Sequence, residues 1–149
     1  GIHIIDLALW LNGGYLEVLD SRMFQVYHDI ETEDHGYAVI HYYNGAIGMI
    51  EASTASPGLK TEMIEISGTK GTVSANYNEI VTFDVPGVER PDFSSEDSSN
   101  PVLFKRLAAD FIDAIENDRN PFVDGPSAKL ATELVMDIYK KAGNPRRMD

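Results

Sequence analysis

A chain of 149 residues, 43% of them hydrophobic, is long enough to bury one substantial core, so one globular domain is expected. Its formal net charge of -12 would repel a phosphate backbone or an anionic bilayer, which argues against nucleic-acid and membrane partners. The absence of cysteine excludes a disulfide frame, a thiolate metal site and a thiol nucleophile and is compatible with cytoplasm; no run reaches the ~18 apolar residues of a membrane span.

The first stretch, Gly1 to Gly14, reads as a helix ended by Gly13 and Gly14, which supply a left-handed C-terminal cap at low cost. His3, Asp6 and Trp10 are spaced to share one face. Ile4, Ile5, Leu7, Ala8, Leu9 and Leu11 cover the remaining circumference, so the helix is expected to be buried on most sides and to bring His3 to a pocket. By itself, a first-turn histidine is either a hydrogen-bonded structural residue or a site residue. No metal centre is expected, because His3 and Asp6 are an incomplete ligand set and no other residue stands at a ligand spacing to complete it.

Two β-leaning runs follow, Tyr15 to Leu19 and Met23 to Tyr27, separated by Asp20-Ser21-Arg22; they read as one interrupted strand or two short ones. Asp29 to Asp34 reads as a turn. Asn44-Gly45 predicts a two-residue type I′ hairpin between His35–Tyr43 and Ala46–Ser53. That turn would pair Tyr43 with Ala46, His41 with Gly48, Val39 with Ile50 and Tyr37 with Ala52 on one face. The other face would pair Tyr42 with Ile47, Ile40 with Met49 and Ala38 with Glu51. Neither face is polar along its length, so one should lie under the chain's own helices and the other under a second domain or subunit. His41, His35 and His28 read as packed sheet residues, with no carboxylate partner identifiable from the sequence.

Ser53 to Lys60, with Pro57-Gly58, reads as a loop and Thr61 to Ser67 as a strand. Gly68-Thr69-Lys70-Gly71-Thr72 looks like part of a phosphate loop, but that device needs a helix after it, and strand-like segments follow at Val73–Asn76 and Glu79–Phe83, around Tyr77-Asn78. It is therefore expected to be a hairpin turn. Val85 to Asn100, with the Ser-rich acidic run at 94–99, should be a mobile loop. Asn100 as N-cap and Pro101 at N1 open a helix whose Phe104, Leu107, Ala108, Phe111, Ile112 and Ile115 predict an amphipathic face packed on a sheet. After a break at Asp118–Pro121 and a short buried link at Phe122-Val123, Asp124-Gly125-Pro126 opens a last helix. Its core stripe is Ala131, Leu134, Val135, Ile138, Tyr139 and Ala142, with Lys140 and Lys141 at the negative end of its dipole and Gly143 closing it. Both helices read as structural.

Gly1-x-His3-x-x-Asp6-Leu7-x-x-Trp10-Leu11-x-Gly13 resembles the helix that opens the second half of the Gfo/Idh/MocA oxidoreductases, the relatives of glucose-fructose oxidoreductase and inositol dehydrogenase. Three further stretches are similar to that family in the same order: Tyr43 to Gly48 followed by Glu51-Ala52-Ser53, then Ile66 to Thr72, then Phe111 to Pro121 with Val123-Asp124-Gly125. The resemblance implies an α+β fold in which a mixed, mostly antiparallel open sheet carries helices on one face. It also implies that residues 1–149 form a single C-terminal substrate-binding and oligomerisation domain. The N-terminal Rossmann domain, which binds NAD or NADP in that family, would lie outside the chain, whose start is expected to fall inside an Asp-x-Gly-x-His motif.

One position carries chemistry over. His3 matches the family's histidine that lies over the substrate and works with a Lys from the Rossmann half, so the resemblance makes it catalytic: as hydride leaves the alcohol carbon of a sugar, inositol or related polyol, a Lys or His must take the hydroxyl proton. Asp6 is expected to support the helix. No cofactor-binding residue is expected within 1–149, the isolated chain should be inactive, and its sheet should make it a homo-oligomer. The competing expectation is a non-catalytic oligomerisation or ligand-binding module.

Overall fold

The structure is a computed structural model that describes residues 1–56, 58, 62–77, 79–93 and 99–148. Parts of the expected 53–60 loop (Pro57, Leu59 and Lys60), the strand start at Thr61, Asn78 of the second turn and residues 94–98 of the Ser-rich run lie outside the described residues. The elements run α1 (Ile2–Asn12), β1 (Tyr15–Gln25), β2 (His35–Tyr42), β3 (Ile47–Ser53), β4 (Met63–Gly68), β5 (Gly71–Asn76), β6 (Ile80–Asp84), α2 (Asn100–Glu116), α3 (Gly125–Ala142) and β7 (Arg146–Arg147). This is the expected α+β class, mostly antiparallel, with the strands divided between two hydrogen-bonded sheets, β3-β2-β1-β7 and β4-β5-β6.

The core lies between the first sheet and two helices. Ile5, Ala8 and Leu9 of α1, Val18 and Met23 of β1, Ala38, Ile40 and Tyr42 of β2, and Ala131, Leu134 and Ile138 of α3 form one cluster. The last helix begins as its sequence dictates. Asp124 accepts the Ser127 N–H at 2.9 Å and the Ser127 hydroxyl accepts the Asp124 N–H at 3.2 Å, so two of the N-terminal donors are satisfied reciprocally. Gly13, at φ 71°, ends α1, and Gly14, at φ 104°, has no room for a side chain because a Cβ there would meet the Tyr43 ring at 2.7 Å.

The β2–β3 hairpin differs from expectation by one residue. His41 pairs with Ile47, Ile40 with Gly48, Val39 with Met49, Ala38 with Ile50 and Tyr37 with Glu51. The Gly45 N–H donates to the Tyr42 carbonyl and Gly45 sits at φ 85°, so the loop has three residues, Tyr43-Asn44-Gly45, with glycine in the left-handed position. A one-residue slip transfers every side chain of the partner strand to the other face. Gly48 and Ile50 therefore join Ile40 and Tyr42 toward the core, and the Tyr42 ring folds over Gly48, where a Cβ would meet it at 2.6 Å. Ile47, Met49 and Glu51 stand with Tyr37, Val39 and His41 on the open face.

β1 runs as one strand through Asp20-Ser21-Arg22, which pair in regular register with Val39, Ala38 and Tyr37, so the interruption expected there is absent; the strand's two irregularities fall instead at Leu16 and Leu19, both of which are exposed. Gly68 and Gly71 close a two-residue turn between antiparallel β4 and β5, as expected of a hairpin rather than a phosphate loop. The short parallel contact of β7 with β1 has no signal in its Arg-Arg sequence.

Helix α2 does not pack on a sheet. Phe104 is 68% exposed and Ile115 67%, Leu107, Phe111 and Ile112 are also exposed, and only Ala114 is buried. Its N-cap is Ser99 rather than Asn100. Nor is Phe122-Val123 a buried link: both side chains are exposed, on a turn pinned by Arg119, whose Nε donates to Asp113 at 2.9 Å while Asp110 accepts the Phe122 N–H at 2.7 Å.

Candidate active-site face

Helix α1 buries the side opposite to His3. Ile5, Ala8 and Leu9 point into the core, whereas His3, Asp6 and Trp10 form an exposed face, Trp10 at 66%. The expectation of a helix buried on most sides is thus corrected: Ile2 and Leu11 are exposed too, because one helix resting on one sheet and one neighbouring helix has a free side. His3 stands at the open N-terminal end of that side instead of lining an enclosed pocket.

The nearest chemistry comes from the residues just before β4 and just after β5, and sequence spacing gives no hint of it. Glu62 accepts a hydrogen bond from the Tyr77 hydroxyl at 2.6 Å. That bond holds the Glu62 carboxyl below its ordinary value, with His3 close enough to add to the effect. The same bond pushes the Tyr77 hydroxyl up to about 12. His3, Glu62 and Tyr77 therefore share one end of α1, although some sixty residues separate the first two. Their proximity depends on β4 passing beside α1.

A cleft of about 220 Å³ opens beside this face, floored by Ile4, Ala8 and Asn12 of α1 and walled by β3 and β4. Of the other histidines, His35 and His41 belong to β2, whereas His28 is exposed in the loop after β1, against the expectation of a packed sheet residue, and all three have partners. His41 Nδ1 lies 3.8 Å from Glu17, His35 Nε2 lies 3.9 Å from Glu51, and His28 Nε2 is 3.1 Å from the Thr54 carbonyl. Both carboxylates are brought in by cross-strand register, which is why sequence spacing missed them. Among the described residues, no group of three or more His, Asp or Glu side chains is placed to hold a metal ion, and no helix is long and apolar enough to cross a membrane.

The residues present do not fit a dinucleotide. A phosphate cradle of that kind joins a strand to a helix N-terminus, and the Gly68–Gly71 turn joins two antiparallel strands.

Comparison with known proteins gives a consistent answer. Residues 1–74 match the family model described as the GFO/IDH/MocA C-terminal domain. The WlbA dehydrogenase from Bordetella pertussis, solved in complex with NADH and UDP-GlcNAcA, is 25% identical with a TM-score of 0.74, over 95% of this chain and 40% of that one. GenD2 from gentamicin A biosynthesis, solved with NAD, is 24% identical with a TM-score of 0.68 over 95% and 44%. The UDP-N-acetylglucosamine 3-dehydrogenase GnnA from Acidithiobacillus ferrooxidans shares the fold, at 19% identity and a TM-score of 0.66 over 95% and 44%. No curated protein matches by sequence. The chain spans less than half the length of these three structures. By the match over its first half and the shared fold over the rest, this chain belongs to the GFO/IDH/MocA C-terminal domain family.

Proposed function

We propose that residues 1–149 are the single substrate-side and oligomerisation domain of an NAD(P)-dependent oxidoreductase acting on CH–OH groups of a sugar, an inositol or a related polyol. The dinucleotide-binding domain belongs to the rest of the polypeptide; among the described residues the glycine-rich turn Gly68–Gly71 joins two antiparallel strands and not a strand to a helix. One observation carries the reading: His3, in the Gly1-x-His3 stretch that resembles the family's motif, stands exposed on the free side of α1. The NADH solved with WlbA and the NAD solved with GenD2 support the cofactor class, and the UDP-GlcNAcA solved with WlbA, together with the name of GnnA, supports a sugar-type substrate.

Oxidising a secondary alcohol requires removal of its hydroxyl proton, and the His3 imidazole is the group that accepts it. The isolated chain neither binds NAD(P) nor turns over. The open sheet face around Tyr37, Val39, Ile47 and Met49 pairs with a second copy, in a cytoplasmic homo-oligomer.

The test is turnover of the polypeptide from its complete reading frame, with NAD and with NADP, on a panel of hexoses, inositols and UDP-linked hexosamines. His3→Ala should lower kcat by about 10²- to 10⁴-fold with unchanged melting temperature. Unchanged turnover would remove His3 from the chemistry.

A further inference from the structure

Glu62 and Tyr77 form an ordered pair beside His3. In the β4–β5 ladder Met63 is opposite Asn76, so the residues one step further, Glu62 and Tyr77, stand opposite each other at the open end of the hairpin. The 2.6 Å bond from the Tyr77 hydroxyl fixes the Glu62 carboxylate there and keeps it an anion throughout the neutral pH range. Both side chains remain accessible, Glu62 at 40% exposure and Tyr77 at 58%. A carboxylate has about four acceptor sites, and the Tyr77 hydroxyl takes one of them.

The pair lies where a ligand of His3 would lie. Ile4 of α1 and Met63 of β4 line the same cleft, which sets the residues before them, His3 and Glu62, side by side where the two elements begin. His3 is near enough to act on the Glu62 carboxyl. Asp6, three residues after His3, is exposed on the same face of α1. A ring whose hydroxyl reaches the His3 imidazole is therefore met by two carboxylates and by the apolar face of the Tyr77 ring. Hydroxyl groups can donate to those oxygens, whereas a second anion is repelled. At the effective dielectric of a protein surface, like charges roughly 6 Å apart cost on the order of 10-fold in affinity or more.

We propose that Glu62, held by Tyr77, is a specificity-determining residue of this site: it accepts hydroxyls of an uncharged sugar or polyol ring and turns away rings that carry a carboxylate. The inference rests on the reading that the substrate comes to His3, and it narrows the proposed substrate class to neutral rings.

Matched pairs test it: glucose against glucuronate, and UDP-N-acetylglucosamine against UDP-N-acetylglucosaminuronate. The diphosphate is common to both members of the second pair, so only the ring carboxylate differs. The polypeptide from the complete reading frame, with NAD or NADP present, should favour the neutral member of at least one pair by about 10-fold or more in kcat/KM and in the Kd read by calorimetry. Glu62→Gln keeps the shape of the side chain and removes its charge, so it should bring the two members to within about 3-fold, chiefly by lowering KM for the uronate. Glu62→Lys should reverse the order. Both substitutions are at an exposed position, and unchanged melting temperatures check that the fold is kept. Equal handling of both members by the unsubstituted protein, a preference for the uronate, or a preference that survives Glu62→Gln and Glu62→Lys overturns the proposal; where turnover is still lost in His3→Ala, the oxidoreductase reading stands without it. Selective binding of the neutral ring with no turnover refutes the proposed oxidoreductase and leaves the role of Glu62 standing. Binding of neither member of either pair overturns the role of Glu62, whatever other substrate is oxidised.

Discussion

Asp34 is 2% exposed where the ends of β1, β2 and β3 meet, and the N–H groups of Val26, Tyr27 and His28 all reach its carboxylate at 2.7 Å. Its carbonyl receives the Thr54 N–H at 2.8 Å. Burial alone would raise this carboxyl, but the three donors together outweigh it and hold the group at about 2. A carboxylate depressed in the folded state contributes stability that is present above the unfolded value and lost as the folded value is approached. The melting temperature should therefore fall as pH drops from about 4 to about 2, the window of this shift. Asp34→Asn, which lacks the second acceptor oxygen, should start lower at pH 7 and lose less across that window. Identical slopes in thermal melts of the two proteins would show that the cluster does not govern acid sensitivity. The sequence indicates a polar turn from Asp29 to Asp34, but which of its acids gathers the donors depends on how the turn folds back. The same holds for His3: its face is legible from spacing, whereas its neighbours Glu62 and Tyr77 are not.

At the scale of elements, α2 and α3 carry the same kind of apolar stripe and meet opposite fates. Leu134 is 0% exposed between β1 and α1, so Leu134→Ala should cost about 2–5 kcal/mol in urea unfolding of this chain, through lost contacts and a residual cavity. A loss under about 1 kcal/mol would contradict the packing of α3. Phe104 and Phe111 on α2 bury little here. Phe111→Glu should thus change stability by no more than about 0.5 kcal/mol and reduce binding of an apolar dye. A larger loss would mean that α2 packs on this chain after all. Helical periodicity states that a face is apolar; it cannot state which surface covers it. The hairpin gives the same lesson in strand form: Asn44-Gly45 marks the turn correctly, but whether the loop holds two or three residues is decided by burying Ile40, Tyr42 and Ile50 on one side.

For the whole molecule, one sheet face is covered by α1 and α3 and the other is open. Tyr37, Val39, Ile47 and Met49 stand there beside the His41–Glu17 and His35–Glu51 pairs. The proposed pairing through this face predicts that Ile47→Lys shifts the complete polypeptide toward monomer in analytical ultracentrifugation while its fold is kept. An unchanged sedimentation coefficient would move the oligomer contact elsewhere.

By itself, the sequence determined the α+β class, the glycine-terminated first helix, the hairpin positions and the capped last helix, and it carries at Gly1–His3 a resemblance to the family's motif. Each of these is written in local periodicity, in turn chemistry or in residues close along the chain. Only the tertiary structure decided that α1 keeps His3 on its free side, that Glu62 and Tyr77 join it, that the hairpin register slips by one, that α2 stays uncovered and that the sheet is divided beside a cleft. Those outcomes depend on which surfaces compete for burial and on contacts between residues distant in sequence, which no spacing along the chain encodes.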